Sequence, residues 1–242
     1  MKPVCIIPAR GGSKRIPRKN VRPFLGKPII AYSIAAAQAS GVFHTVIVST
    51  DDEEIADVAR TYGAEVPFIR PRKLSDDHTP TRPVIQHAVK WCAENGLDSD
   101  NVCWMHAAAP LIASTDVHDA YEMLRATDFD FVFTATQFEF PIQRALRLNS
   151  NGSIEMFYPE HRDTRSQDLP VAYHDAGQFY FGSARSVMEG VPVFSRSATI
   201  FEIPSSRAQD IDTLDDWRRV ELMYQLVTGA KRDSSRESRL SH

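Results

Sequence analysis

The feature that most constrains the fold is the regular alternation of short apolar runs and helix-forming segments. The run Val4–Ile7 and the β-branched run Thr45–Ser49 have strand composition, and a segment with helix-start signals follows each of them. After Thr45–Ser49, the acidic stretch Thr50–Glu54 predicts the start of a helix, because carboxylates cap and stabilise helix N-termini. Strand–helix–strand units with short turns are right-handed and build parallel sheets. The pattern therefore predicts an α/β fold, with a mostly parallel sheet and helices on both faces.

The same alternation continues along the chain. Further strands are predicted at Val66–Ile69, Val102–His106, Phe131–Ala135, Gln178–Phe181 and Thr199–Ile203. Further helices are predicted up to about Asn95, over Thr115–Ala126, over Ala184–Met188, and after a cap at Thr213. No internal repeat or second core is evident, so residues 1–229 are expected to form a single domain. The charged stretch in residues 230–242 is expected to be a disordered tail.

Composition excludes several classes of protein. The chain has 242 residues and a formal net charge of −3, which argues against general nucleic-acid binding. No stretch approaches about 20 continuous apolar residues, and the chain enters a strand at once, so neither a membrane span nor a signal peptide is expected. The three cysteines lack C-x-x-C spacing. They are expected to be reduced thiols in a cytoplasmic protein.

The stretch Pro8–Asn20 is the most distinctive motif. It follows the first strand and contains two adjacent glycines and five cations: Arg10, Lys14, Arg15, Arg18 and Lys19. The glycines allow positive φ and a close backbone approach to a ligand, and the crowded cations favour an anion such as a polyphosphate. The spacing matches neither a Walker A motif nor a dinucleotide fingerprint. A solvated basic turn is the alternative, but a position at the carboxyl end of a strand favours phosphate binding.

A pair of carboxylates lies near the end of the chain. Asp210 and Asp212 are two residues apart, so an extended backbone would direct both to one face, where they could bind Mg²⁺. Alternatively, the pair begins the last helix. Asp51 and Asp52 are rival metal ligands, interpreted here mainly as helix-start residues.

Two further segments interrupt the alternation. Extended segments at 144–148 and 153–157 flank Asn149–Gly152, a strong turn signal, and predict a hairpin. The polar stretches 165–170 and 173–180 contain a cation, amides, an imidazole and carboxylates, which suit a polyhydroxylated acid. Local turn and cap roles are the alternative for each of these residues.

The basic motif also resembles a known family. Pro-Ala-Arg-Gly-Gly-Ser-Lys at residues 8–14, followed by Ile16-Pro17 and Lys19-Asn20, resembles the signature of the CMP-sugar synthetases, which are cytidylyltransferases. The form over residues 14–20 looks most like the branch that activates pseudaminic acid, because the sialic acid branch usually has Gly in place of Arg15. The stretch Asp175–Gln178 also departs from the Pro-Asn-Gly-Ala of the sialic acid branch.

This resemblance implies a fold and an activity. The fold would be the Rossmann-like sheet of nucleotide-diphospho-sugar transferases, with a hairpin arm at about 138–161 that is used to form a homodimer. The reaction would convert CTP and an acidic nine-carbon sugar, pseudaminic acid, into CMP-sugar and pyrophosphate, with Mg²⁺ as cofactor. A CMP-sialic or CMP-legionaminic acid synthetase is the alternative within the class. A non-catalytic nucleotide-binding regulator is the alternative outside it, and the intact pair Asp210 and Asp212 argues against that.

The resemblance also implies roles for individual residues. Residues expected at CTP are Ala9, Arg10, Gly11, Gly12, Ser13, Lys14, Lys19, Asn20, Arg70, Thr79 and Thr81. The catalytic residues would be Arg10, Lys14, Lys19 and Asp210, and the metal ligands would be Asp210 and Asp212. Residues expected at the sugar are His106, Arg165, Gln167, His174, Asp175, Gln178 and Tyr180. His106 stands where the sialic acid branch has Gln, and a structural role is its alternative.

Overall fold

A six-stranded sheet forms the centre of the molecule. The computed structural model describes residues 2–229, and its strands are β1 (Val4–Pro8), β4 (Thr45–Ser49), β5 (Asn101–Met105), β6 (Phe131–Gln137), β9 (Tyr173–Ser183) and β10 (Ala198–Glu202). Their order across the sheet is β10-β6-β9-β5-β1-β4. Strand β9 runs antiparallel to β5 and β6, and the other pairings are parallel. The predicted α/β class with a mostly parallel sheet is therefore confirmed.

Helices cover both faces of this sheet. Six α-helices lie within the described residues: α1 (Ile30–Ala39), α2 (Glu53–Thr61), α3 (Thr81–Glu94), α4 (Ser114–Arg125), α5 (Ala184–Glu189) and α6 (Leu214–Thr228). Apolar residues of α1, α2 and α4 form one core cluster with the sheet, and residues of α3 and α5 form a second. A third cluster packs α6 against Ile16, Phe24 and Ile211. None of the helices between residues 2 and 229 has the length and apolar content needed to cross a bilayer.

Two predicted strands differ from the structure. Residues 66–69 do not form a continuous strand. Only two isolated bridges lie in this region, between Ile47 and Glu65 and between Thr50 and Ile69. Pro67 lacks a backbone N–H, which disfavours a continuous ladder there. Strand β9 begins at Tyr173 instead of Gln178, so the polar stretch 173–177 belongs to the sheet. A register shift between Phe133 and Ala135 interrupts its pairing with β6.

Short elements complete the chain. The two-residue strands β2 (Pro23–Phe24) and β3 (Lys27–Pro28) form a small antiparallel pair. Helix α1 begins two residues after Pro28. Strands β7 (Leu146–Leu148) and β8 (Ile154–Met156) form the predicted hairpin. Thr213 caps α6 in a capping box with Asp216, as its position predicts. The tail predicted at 230–242 lies outside the described residues.

Candidate active site

A cavity of about 560 Å³ lies at the carboxyl ends of β1 and β5. Eleven predicted site residues line it: Arg10, Ser13, Lys14, Lys19, Asn20, Arg70, Thr79, Thr81, His106, Asp210 and Asp212. Ala9, Gly11 and Gly12 belong to the same loop but do not contribute to its lining. Segments far apart in sequence therefore meet where open α/β sheets bind ligands.

The glycines of the basic loop serve a close approach and not a left-handed conformation. Positive φ is recorded at eight other glycines, but not at Gly11 or Gly12, so the expectation that this loop uses φ > 0 is wrong. The Gly11 N–H donates to Asp51 Oδ1 at 3.1 Å. A Cβ atom on Gly11 would lie 2.5 Å from Asp52 Oδ2, while Gly12 faces open space. Gly11 is therefore required because the acidic turn after β4 packs directly against it.

Asp51 and Asp52 support the loop. Asp52 caps α2 by accepting a hydrogen bond from the Ile55 N–H at 3.0 Å, which confirms its helix-start role. Asp52 also pairs with Arg18 through two contacts, at 2.6 and 2.9 Å. The hydrogen bonds from Arg18 lower the pKa of the Asp52 carboxyl. Arg18 is thus committed to fixing the loop against α2.

Two cations of the loop converge on one carboxylate. Arg10 donates to Asp77 Oδ1 at 2.7 Å, and Lys14 pairs with the other oxygen of Asp77. The hydrogen bond from Lys14 lowers the pKa of the Asp77 carboxyl. Asn20 donates to the Arg10 carbonyl at 3.0 Å and so closes the loop on itself. Without a ligand, Asp77 supplies the negative charge that these cations require.

The paired carboxylates near the last helix face the other cations. Arg15 pairs with Asp212 at 2.6 Å, and Lys19 donates to the Ile211 carbonyl at 2.8 Å. Partial burial lowers the pKa of Lys19, while the nearby carboxylates of Asp210 and Asp212 oppose that shift. Thr213 and Asp216 provide the cap of α6, so neither Asp210 nor Asp212 is needed to begin it. The helix-start alternative for this pair is therefore wrong.

Arg70 is the most buried cation of the cavity. It is 4 % exposed, donates to the Ser49 carbonyl at 3.2 Å and to Ser75 Oγ at 3.1 Å, and lies 3.6 Å from Asp51. Burial lowers the pKa of its guanidinium. In the same cavity, Asp76 Oδ1 accepts hydrogen bonds from the N–H and hydroxyl of Thr79. These contacts hold two of the residues expected at CTP, Arg70 and Thr79, in place.

His106 connects this cavity with two others. A second cavity of about 340 Å³ and a third of about 700 Å³ both include His106 in their lining. The His106 N–H donates to the Gln178 carbonyl at 2.8 Å, which continues the β5–β9 pairing. Burial lowers the pKa of its imidazole, so the ring is neutral near pH 7.

The second cavity is largely apolar. Its walls include Trp104, Tyr180, Val193 and Phe194, and the rings of Trp104 and Tyr180 stack at 5.2 Å. The Tyr180 hydroxyl donates to Asp175 Oδ2 at 2.5 Å. Burial, followed by the charge of Asp175, raises the pKa of Tyr180, so it remains a donor. The cavity thus combines a mostly apolar lining with the polar groups of Asp175 and His106.

The third cavity is more polar and is shared with the carboxylate pair. Its lining includes the predicted residues His174, Asp175 and Asp210, and also Gln209 and Arg219. Asp210 lines the first and third cavities, and Asp175 lines the second and third. The three cavities therefore meet around His106, Asp175 and Asp210.

Three predicted sugar residues lie elsewhere. Arg165 pairs with Asp168 at 2.7 Å. Neither Arg165 nor the exposed Gln167 lines any of these three cavities. Gln178 is 3 % exposed, and its amide donates to the Arg207 carbonyl at 2.5 Å. The contacts of Gln178 are thus internal to the protein.

Comparisons with known proteins agree with this geometry. A family model described as cytidylyltransferase matches residues 4–219. The chain belongs to the cytidylyltransferase family. The predicted resemblance is confirmed, and the protein is a CTP-dependent nucleotidyltransferase of the type that forms CMP-sugars.

Individual relatives extend the comparison. The chain is 46 % identical over 226 residues to the pseudaminic acid cytidylyltransferase of Campylobacter jejuni serotype O:2, covering 93 % of this chain and 97 % of that protein. It is 34 % identical over 238 residues to a CMP-N,N'-diacetyllegionaminic acid synthase of the same organism, covering 95 % and 98 %. Among solved structures, a CMP:2-keto-3-deoxy-manno-octonic acid synthetase complexed with CTP aligns with a TM-score of 0.70 at 18 % identity, covering 93 % of this chain and 100 % of that one. That last likeness shows the shared fold.

Sequence reasoning about this cytidylyltransferase missed several cavity residues. Asp77 was assigned no cation partner, and Arg219, Gln209 and Phe194 were assigned no role. Phe194 is an exposed aromatic residue on an irregular segment after α5, and its exposure is evident only in the structure. Arg219 lies on α6 with other charged residues, and no sequence signal separates it from a solvated helix face.

Proposed function

We propose that this cytidylyltransferase transfers the cytidylyl group of CTP to pseudaminic acid and releases pyrophosphate. The observation that supports this sugar most strongly is the 46 % identity with a pseudaminic acid cytidylyltransferase over nearly the whole of both chains. The legionaminic acid synthase is a more distant relative at 34 % identity. A CMP-legionaminic acid synthetase is therefore the second candidate.

The triphosphate would occupy the first cavity. Arg10, Lys14 and Lys19 line this cavity together with the loop that Asp51 and Asp52 support. The triphosphate would replace the Asp77 carboxylate as the anionic partner of Arg10 and Lys14, so that one anion is exchanged for another. Cations placed in advance stabilise charge at the reacting phosphate without reorganisation.

Asp210 and Asp212 would bind Mg²⁺ together with phosphate oxygens of the nucleotide. Residues 2–229 contain no group of three or more His, Cys, Asp or Glu side chains arranged for a metal. The pair nevertheless fits Mg²⁺, which commonly takes one or two protein carboxylates and completes its shell with phosphates and water. When bound, the ion would neutralise charge that develops on the reacting phosphate. Arg15 would then have to leave Asp212.

The sugar would lie in the second and third cavities. Polar groups of the third cavity suit hydroxyl groups, and the apolar wall of the second suits acyl or methyl substituents. The nucleotide and sugar cavities meet at His106 and Asp210. There the anomeric oxygen of the sugar would form a bond to the α-phosphorus while the bond to pyrophosphate breaks. Catalysis of this type depends mainly on positioning and charge stabilisation.

The protein is further proposed to act as a homodimer in the cytoplasm. The hairpin of β7 and β8 exposes several large apolar side chains, which supports a partner surface. The three cysteines are free and buried, which is consistent with a reducing compartment.

Pyrophosphate release provides the decisive test of the sugar. Purified protein with CTP and Mg²⁺ is expected to release pyrophosphate with pseudaminic acid, and far more slowly with legionaminic or sialic acid. Release with legionaminic acid alone would support the second candidate. No release with any acidic nine-carbon sugar would contradict the proposal.

The metal role has a separate test. Asp212→Asn is expected to reduce turnover by orders of magnitude, because metal stabilisation of the transition state amounts to several kcal/mol. Its melting temperature should change little, since Asp212 faces only the exposed Arg15 in an ion pair. Asp215→Asn is the matched control, because this exposed carboxylate on α6 pairs with Arg218 outside the cavity. Equal turnover in the two variants would remove Asp212 from the metal site.

A further inference from the structure

The segment between β10 and α6, residues 203–213, contains both proposed metal ligands and is fixed at its two ends. At one end the Ile203 N–H donates to the Ala135 carbonyl at 2.8 Å, which extends the pairing of β10 with β6. At the other end Ile211 is fully buried in the cluster that includes Ile16 and Trp217. Residues between these anchors are exposed or half-buried, and Asp210 is itself exposed. Something else must hold the middle of the segment.

Arg207 provides that middle anchor. Its guanidinium pairs with the carboxylate of Asp116, and the two side chains are only 17 % and 13 % exposed. Asp116 lies in the first turn of α4, where the helix dipole stabilises a negative charge.

The backbone of Arg207 is held as well. The Gln178 amide donates to the Arg207 carbonyl at 2.5 Å, and the Gln178 carbonyl accepts a hydrogen bond from the His106 N–H at 2.8 Å. Gln178 therefore connects the strand end at His106 with the segment that contains Asp210. This buried contact explains why Gln178 does not line the cavities.

We propose that the ion pair between Arg207 and Asp116 is a positioning device for the proposed metal ligands. Arg207 is three residues before Asp210, and three residues span at most about 10 Å. Only Ala208 and Gln209 separate Arg207 from Asp210, so the anchors at Arg207 and Ile211 together limit the positions that Asp210 can take. Removing Asp116 would leave a guanidinium without its partner in a half-buried site, and the segment would move to hydrate it. The inference depends on the proposed role of Asp210 and Asp212 in binding a divalent cation.

The test measures binding of Mn²⁺ to the protein with CTP bound, by electron paramagnetic resonance of the free ion, and CTP is kept below the protein concentration so that free nucleotide does not compete for the ion. Asp116→Asn preserves the shape of the side chain and removes its charge. We expect it to raise the Kd for Mn²⁺ about tenfold, as is usual when support of a metal ligand is lost. Arg207→Gln should raise the Kd by a similar factor. The double variant should raise it by no more than either single variant, because each of the three variants removes the same Arg207–Asp116 ion pair. Arg207→Lys keeps the charge and should lie closer to the wild type.

Two controls separate positioning from general destabilisation. Val117→Ala removes buried apolar volume from the same helix without touching Arg207, so it should lower the melting temperature and leave the Kd for Mn²⁺ within twofold. Asp212→Asn removes a proposed ligand and should raise the Kd for Mn²⁺ by at least as much as Asp116→Asn does. Wild-type binding that is insensitive to Asp212→Asn would contradict the proposed metal site, and the positioning role with it.

The remaining outcomes concern the positioning role alone. If Asp212→Asn weakens Mn²⁺ binding but Asp116→Asn stays within twofold of the wild type, the metal site stands and the positioning role is wrong. An equal rise of Kd in Val117→Ala and Asp116→Asn would also overturn it. Losses that add in the double variant would show that the two residues do not act as a pair.

Discussion

At the residue scale, the two adjacent glycines of the basic loop have different tolerances. Gly11→Ala should destabilise the protein by about 1–2 kcal/mol, because the new Cβ would displace Asp52 and with it the cap of α2. Gly12→Ala should stay within about 0.5 kcal/mol, since its side faces open space. The KM for CTP should rise in the first variant more than in the second. Urea unfolding and steady-state kinetics of the pair measure both effects, and equal behaviour would contradict this account of the loop.

Lys19 combines a ligand role with a structural one. An exposed loop cation would contribute little to stability, but Lys19 is half-buried and donates to the Ile211 carbonyl at 2.8 Å. Lys19→Ala should therefore cost about 1 kcal/mol of stability in addition to weakening CTP binding strongly. Lys27→Ala, at an exposed position on β3, is the control and should change neither quantity. Wild-type CTP affinity in folded Lys19→Ala would exclude this residue from the phosphate site.

His106 makes a defined contribution to the pH dependence of stability. Burial lowers the pKa of its imidazole in the folded protein, whereas the unfolded chain titrates near 6.5. Between these two pKa values the unfolded state binds more protons, so the free energy of unfolding rises with pH through this range and falls on acidification below about 6.5. His87, whose pKa is also lowered by burial, adds a contribution of the same sign.

Urea unfolding at several pH values between 5 and 8 measures the slope of the free energy of unfolding against pH. One such site contributes at most about 1.4 kcal/mol per pH unit. His106→Asn should reduce the slope, and so should His87→Asn, because burial lowers the pKa of both imidazoles. An unaltered slope in His106→Asn would mean that this imidazole is not buried in its neutral form.

At the element scale, the sequence predicts those elements whose signals are local. Thr213 and its acidic neighbours fix the start of α6, and β-branched runs fix β1 and β4. The failure at residues 66–69 has a local cause as well, since Pro67 cannot complete the ladder that the apolar residues favour. The length of β9 was not predictable in this way, because its polar first half is a strand only through its pairing with β6.

The residues of the predicted site likewise fall into those that the sequence could place and those that it could not. Arg10 and His106 closely follow β1 and β5, so the topology alone brings them together. Asp210 lies in the segment after β10, and its place in the site was predicted from the family resemblance. Gln178 could not be placed, since Phe133 pairs with Tyr180 but Ala135 pairs with Asp175. That register shift breaks the simple alternation of side chains and re-aims Gln178 into the protein. Arg165 pairs locally with Asp168, three residues further along the chain, and lines none of the three cavities.

At the scale of the whole molecule, the exposed apolar residues are unevenly distributed. Phe140, Leu148 and Ile154 on the hairpin arm are 80 %, 74 % and 66 % exposed, and Phe157 is more than half exposed. An isolated two-stranded hairpin is marginally stable in water, and Leu148 pairs with Ile154 across this one, so two large apolar side chains lie side by side at its surface. The arm therefore has the composition of a surface that a partner covers, which supports the proposed homodimer.

A single substitution in the arm should separate the subunits. Leu148→Glu should shift the protein from dimer to monomer at micromolar concentration in sedimentation velocity, because a carboxylate placed at a two-fold interface is desolvated twice. The fold should persist, since Leu148 is largely exposed in the protomer. Leu226→Glu is the matched control, because Leu226 on α6 is 81 % exposed but lies outside the arm. A monomeric wild type, or dissociation by Leu226→Glu and not by Leu148→Glu, would contradict the assignment of the arm to the interface.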